Sequence, residues 1–154
     1  MAINVDYRIL EDATRNVNSS TTLTAGVPVS LNTSNEVILA ADGVTTYGLS
    51  KLDKNAYRDE TGGSPAGIYG SGKCSVAVNG IVTVSASTYT TSTGATATVQ
   101  VYDVALSYYI FQYLYAKTGL ISTDNSGTDR IGVCLKPPTA SDATMQLFLT
   151  PSLI

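Results

Sequence analysis

The chain has no histidine and no tryptophan, and only 14% of its residues are charged. The missing histidine removes the commonest general base, the serine–histidine–acid triads and nearly all zinc sites. The low charge falls well below the roughly 25% usual in soluble domains. Nine basic residues stand against twelve acidic ones, for a net charge of -3, and none of them forms a basic run. Binding to nucleic acid through neutralised phosphates is therefore not expected. No apolar stretch approaches the roughly 20 residues of a membrane span, and MAINVDYRIL lacks the layout of a signal peptide. The two cysteines, Cys74 and Cys134, lie in apolar, strand-like surroundings and read as reduced core thiols.

Serine, threonine and glycine fill the place of charge. At 154 residues the chain is expected to be one domain large enough to bury a core without disulfide or metal. A surface that is polar but weakly charged suits strands, turns and broad contacts with other chains.

The stretch GIYGSGKC at residues 67–74 comes close to a phosphate-binding loop. That loop needs a strand before it, a helix opening at the lysine, and a hydroxyl after the lysine. Here loop residues and Pro65 precede it, the strand-like SVAV follows, and Cys74 stands where the hydroxyl belongs. It reads as a glycine-rich loop entering a strand. A Ser71–Lys73 pair would be poorly held there. Asp124 to Asp129 (DNSGTD) lacks the spacing and late glutamate of a calcium loop and reads as a turn. Asn18-Ser-Ser20 and Asn32-Thr-Ser34 match the glycosylation pattern by chance in a Ser/Thr-rich chain. No catalytic, cofactor or metal residues are assigned, and no enzyme activity is expected.

Along the chain, residues 2–10 alternate, with Ile3, Val5, Tyr7 and Ile9 on one side. The polar EDATRNVNSSTT follows. Residues 1–20 are thus an extended N-terminal arm, which either adds to another chain or folds back as an edge strand. Residues 21–154 form a single β-rich domain. Strands are expected at Pro28–Leu31, Val37–Ala40, Thr45–Ser50, Thr98–Tyr102, Arg130–Lys136 and Met145–Leu149. Residues 53–73 are a long polar loop. Val76–Val84 is β throughout, either a hairpin turning at Asn79-Gly80 or one strand bulged at Gly80. The expected class is all-β and mainly antiparallel, a small barrel or sandwich.

The segment VALSYYIFQYLYAKTG carries apolar groups on all sides. Asp103 as cap, Lys117 in a last turn and Gly119 as stop favour a short helix, whereas the aromatics favour strand. The balance leans to the helix. Either way one side needs covering, so Tyr108, Tyr109, Phe111, Tyr113 and Tyr115 are candidates for a subunit contact.

Gly26-Val-Pro-Val29, Tyr47-Gly-Leu49, Val76–Val84 and Ile131-Gly-Val133 appear in an order that resembles the small capsid decoration (cement) proteins of tailed bacteriophages. The likeness covers about residues 20–138, and the aromatic segment departs from it as an insertion. The resemblance implies a compact β-rich domain that assembles into homotrimers on the outside of the head, bound to the major capsid protein, and clamps the expanded shell. It places the chain in the virion, assembled in the bacterial cytoplasm, with no cofactor, nucleic acid or membrane partner. On that reading Ile3, Val5, Tyr7 and Ile9 are candidates to contact the capsid by strand addition. A head-fibre base, a tail-tube subunit, or a carbohydrate-binding β-domain using Tyr57 and Tyr69 are the alternatives.

Overall fold

A computed structural model describes residues 4–5, 11–18, 20–21, 23–42, 44–51, 73–90, 96–126 and 129–150. Within these residues twelve strands follow in chain order: β1 Asn4–Val5, β2 Glu11–Asn16, β3 Pro28–Leu31, β4 Val37–Leu39, β5 Gly48–Ser50, β6 Lys73–Ser85, β7 Ser87–Thr90, β8 Thr96–Val99, β9 Tyr113–Lys117, β10 Leu120–Ser122, β11 Arg130–Lys136 and β12 Thr144–Leu149. Among the described residues there is no helix.

The main sheet is antiparallel and curled into a half-barrel, with strand order β10-β9-β11-β12-β6-β5-β3-β4. β1 and β2 also lie on β6, and β7 pairs with β8 apart from it. The fold turns on β6. Its first half pairs with β5, Leu49 opposite Ala77, and its second half with β12, Leu147 opposite Val82. It runs as one strand of 13 residues through Asn79-Gly80. Gly80 takes a φ of 118°, a value open only to glycine without strain, so the strand bends there instead of reversing. Of the two readings of this stretch, the single strand is the observed one.

The core follows from alternation. Leu114, Ala116, Ile131, Cys134, Met145, Leu147, Leu149, Val82 and Val84 are all buried. Most of their neighbours in sequence are more exposed, as a period of two requires; in β11 a register shift between Arg130 and Gly132 breaks the alternation, so Ile131 and Cys134 are both buried. The two ends of the sheet path approach one another. Thr118-Gly119 joins β9 to β10 with φ of 49° and 77°, a two-residue turn of the kind that matches strand twist. Gly119 sits so close to the Leu39 side chain of β4 that a β-carbon would collide with it. The Thr118 amide donates to Asp42 Oδ1 at 2.8 Å. Lys117 Nζ lies 3.6 Å from both Asp42 and Asp124. The seam is thus held by side chains instead of a strand ladder. Gly119 was expected to stop a helix; a turn between strands uses the same left-handed conformation.

The arm's described residues run antiparallel along β6, from Asn4 opposite Thr83 to Asn16 opposite Lys73. The polar EDATRN is therefore strand, its backbone satisfied by β6 although its side chains give no apolar signal. Val17, at 6% exposure, bridges to Val37 of β4, and the Asn18 amide donates to the Val37 carbonyl.

Candidate functional site: an exposed aromatic turn

The segment entering β9 is fastened at its base. Tyr102 bridges to Ile121 and the Asp103 amide donates to the Ile121 carbonyl. The Asp103 carboxylate accepts from the Ala105 amide at 2.9 Å, and the Leu106 amide reaches the Asp103 carbonyl. This is an aspartate turn where a helix cap was expected; the same side-chain bond serves both structures. Tyr108 then turns inward. It is 8% exposed, and its hydroxyl reaches the carbonyls of Asp103 at 2.9 Å and Ile121 at 3.0 Å. Its ring meets that of Tyr102 edge-on, 5.6 Å apart at 77°. Burial first, and then the nearby Asp103 charge, push the Tyr108 hydroxyl well above its ordinary pKa, so it stays a neutral donor.

The chain next makes a turn over Tyr109–Gln112. The Gln112 amide donates to the Tyr109 carbonyl at 3.1 Å, and the Gln112 side chain accepts from the Tyr109 amide at 3.0 Å. Phe111 occupies the third position with a φ of 65°. Turns of this kind take glycine there. A side chain in the left-handed region costs about 1–2 kcal/mol. Two backbone bonds hold Phe111 in place: its amide on the Cys134 carbonyl at 2.7 Å, and the Cys134 amide on the Gln112 carbonyl at 2.9 Å. Phe111 is nevertheless 75% exposed, with Tyr109 at 66%, Ile110 at 57% and Tyr113 at 52%. The turn accepts strain while leaving most of its ring in solvent.

Apolar surface continues across the outer face. Tyr113 pairs with Val133, Val133 with Phe148, and Phe148 with Ile81. Phe148 is exposed, and Arg130 lies over the Tyr113 ring at 4.9 Å. Beside the turn opens a groove of about 470 Å³ between Val104–Tyr109 and Pro138–Ala140, with Tyr102 and Tyr108 among its lining residues. No charged residue lines it.

The aromatic candidates therefore separate. Tyr109, Phe111 and Tyr113 form the exposed site; Tyr108 is a core residue that anchors it; Tyr115 is half-buried in β9 opposite Arg130. The short helix expected over 104–116 is replaced by turns and the start of β9. Ile110 and Val104 join the exposed surface. Nothing in YYIFQ marks a turn, since it holds no glycine, proline, asparagine or aspartate.

Elsewhere, β6 begins at Lys73, where a phosphate-binding loop would open a helix. The rest of GIYGSGKC before Lys73 lies outside the described residues, as do Tyr57 and Tyr69. So do Ile3, Tyr7 and Ile9; Val5 lies in β1 opposite Val82. Neither Cys74 nor Cys134 forms a disulfide, and both are buried. The side-chain amides of Asn18 and Asn32 both donate to Glu36 Oε2 at 2.9 Å, which occupies the nitrogens a glycan would need. Asp124 accepts from the Ser126 amide in a local turn. Among the described residues no three acids or cysteines are placed to hold a metal. No protein family, no curated protein and no solved structure matches this chain.

Proposed function

We propose that this chain is a structural virion protein that binds the outside of an expanded bacteriophage capsid as a homotrimer and stabilises the shell. The observation that carries this reading is Phe111: a strained, outward-held ring on a weakly charged β-scaffold. Strain kept at a ring that stands three-quarters exposed points to a partner that returns the energy. An exposed apolar patch of this size on a β-domain marks a protein contact. Tyr109, Phe111 and Tyr113 then supply the subunit contact, while Tyr108 supports them from beneath.

The arm supplies the contact to the major capsid protein. Among the described residues β1 and β2 pair only with β6, which leaves the arm's second edge for a capsid strand. Binding the expanded shell alone shifts that state by mass action, with no chemistry. Linked subunits on a repeating lattice add avidity.

The test is the amount of this chain in purified heads relative to the major shell protein, by quantitative mass spectrometry. A high copy number in a simple ratio, released without rupture of the shell, supports decoration. A few copies per particle would assign the chain to a fibre or tail part. Absence would end the virion reading.

A further inference from the structure

The exposed turn and the groove beside it are a projection and a recess on one chain, and we infer that Phe111 of one copy seats in the groove of the next. This deepens the proposed function by naming the occupant of the aromatic site. The occupant is a second copy of this chain.

Three observations carry it. The first is area. Tyr109, Phe111 and Tyr113 stand 66%, 75% and 52% exposed. At roughly 200 Å² per aromatic side chain they leave about 400 Å² in water. That is half of the roughly 800 Å² each partner buries in a standard interface, before Val104, Ile110 and Phe148 are added. The second is chemistry. The groove offers Tyr102, Leu106, Tyr108 and Pro138, all without charge. The two tyrosine hydroxyls are committed to carbonyls, Tyr102 on Ala143 at 2.9 Å and Tyr108 on Asp103 and Ile121. An incoming phenyl ring therefore strands neither tyrosine hydroxyl, and it meets aromatic rings already fixed in orientation; Ser107 and Thr139, both exposed, add polar groups to the same lining. The third is preorganisation. Phe111 is held outward by its amide's bond to the Cys134 carbonyl and by the Cys134 amide's bond to the Gln112 carbonyl beside it, so little ordering is left for assembly. A projection-into-recess contact joins unlike surfaces, and three such contacts close a ring.

The test mixes two full-length single-substitution chains, Ile110→Cys beside the ring and Ala140→Cys on the groove rim, under mild oxidation. A mixed 110–140 disulfide can form only between copies, and mass spectrometry identifies it. We expect that product at tenfold or greater excess over 110–110 and 140–140 products. We expect it to be lost when Phe111→Gly is placed in the Ile110→Cys chain. An oligomer of unchanged mass without the mixed disulfide overturns the contact. So does a predominance of 110–110 product, which would put two turns face to face. So does a chain that sediments as a monomer at the highest soluble concentration. Shell binding is scored separately on purified heads. A monomer that binds heads removes this contact and leaves decoration standing; a cross-linked ring that ignores heads does the reverse.

Discussion

The amide of Phe111 donates to the carbonyl of Cys134 at 2.7 Å, and that bond holds a phenylalanine at a φ of 65°. Glycine would sit there without the roughly 1–2 kcal/mol that a side chain costs, while losing more backbone entropy on folding, about 0.5–1 kcal/mol. Phe111→Gly should therefore leave the isolated chain as stable or up to about 1 kcal/mol more stable, a rise in Tm of a few degrees for this size. The same change should weaken self-association. Calorimetry and sedimentation on one preparation check both. Loss of stability would show that Phe111 is held by packing within the chain.

Gly132 and Gly48 should tolerate alanine poorly. A β-carbon at Gly132 would strike the Phe148 carbonyl oxygen in β12, and one at Gly48 the Ala77 carbonyl oxygen in β6. Neither backbone can retreat without breaking a ladder. Each substitution should cost roughly 2–3 kcal/mol. Gly119→Ala meets only the movable Leu39 side chain and a positive φ, so it should cost about 1–2 kcal/mol. Urea denaturation gives the order; a Gly119 variant as damaged as the other two would contradict it.

Where the arm is cut should matter. Removing residues 1–10 takes away the pairing of β1 with β6 but keeps β2 and Val17, and should cost less than a longer deletion. Removing residues 1–17 also takes away a side chain only 6% exposed and its bridge to Val37. A buried valine contributes about 1.5–3 kcal/mol, so the longer deletion should lower stability by at least about 2 kcal/mol. Only the shorter deletion is a fair test of the arm in shell binding.

Asp142 gives a pH signature. Lys136 at 2.7 Å, the Thr144 hydroxyl and the Thr144 amide hold its carboxyl far below its usual range, the Lys136 bond first. A carboxylate lowered on folding contributes stability above its unfolded value, near 3.8, and loses it as the pH falls toward the folded one. Asp142→Asn should therefore lie below the parent in stability at pH 7, with the gap narrowing as the pH drops below 4. A gap that is constant with pH would mean that the carboxylate's charge is not what holds the turn.

Much of the fold was legible because apolar alternation is local. Pro28–Leu31 and Arg130–Lys136 are strands with the expected limits, since hydrophobic periodicity and bounding prolines or turns mark them directly. β2 was not legible. EDATRN owes its conformation to β6, some sixty residues away, through backbone bonds that any side chain permits. The site was half legible. The crowding of aromatics between 108 and 115 announced a surface needing cover, but which ring turned in could not be read from it. Tyr108 is drawn inward because the carbonyls of Asp103, five residues before it, and Ile121, thirteen after it, accept its hydroxyl; Phe111 is forced outward by a glycine-type turn with no glycine in it.

The outward edge of β2 has a further consequence. Open strand edges template aggregation, and proteins blunt them with charge and bulges. β2 carries Glu11, Asp12 and Arg15, and its pairing with β6 slips by one residue between Glu11 and Asp12. The terminal strand β4 is closed off by Val17 and Asn18, and β10 by Tyr102 and Asp103. These three described edges are therefore poor templates for like-to-like pairing between densely packed copies, while the proposed capsid strand, of complementary charge and register, still fits β2.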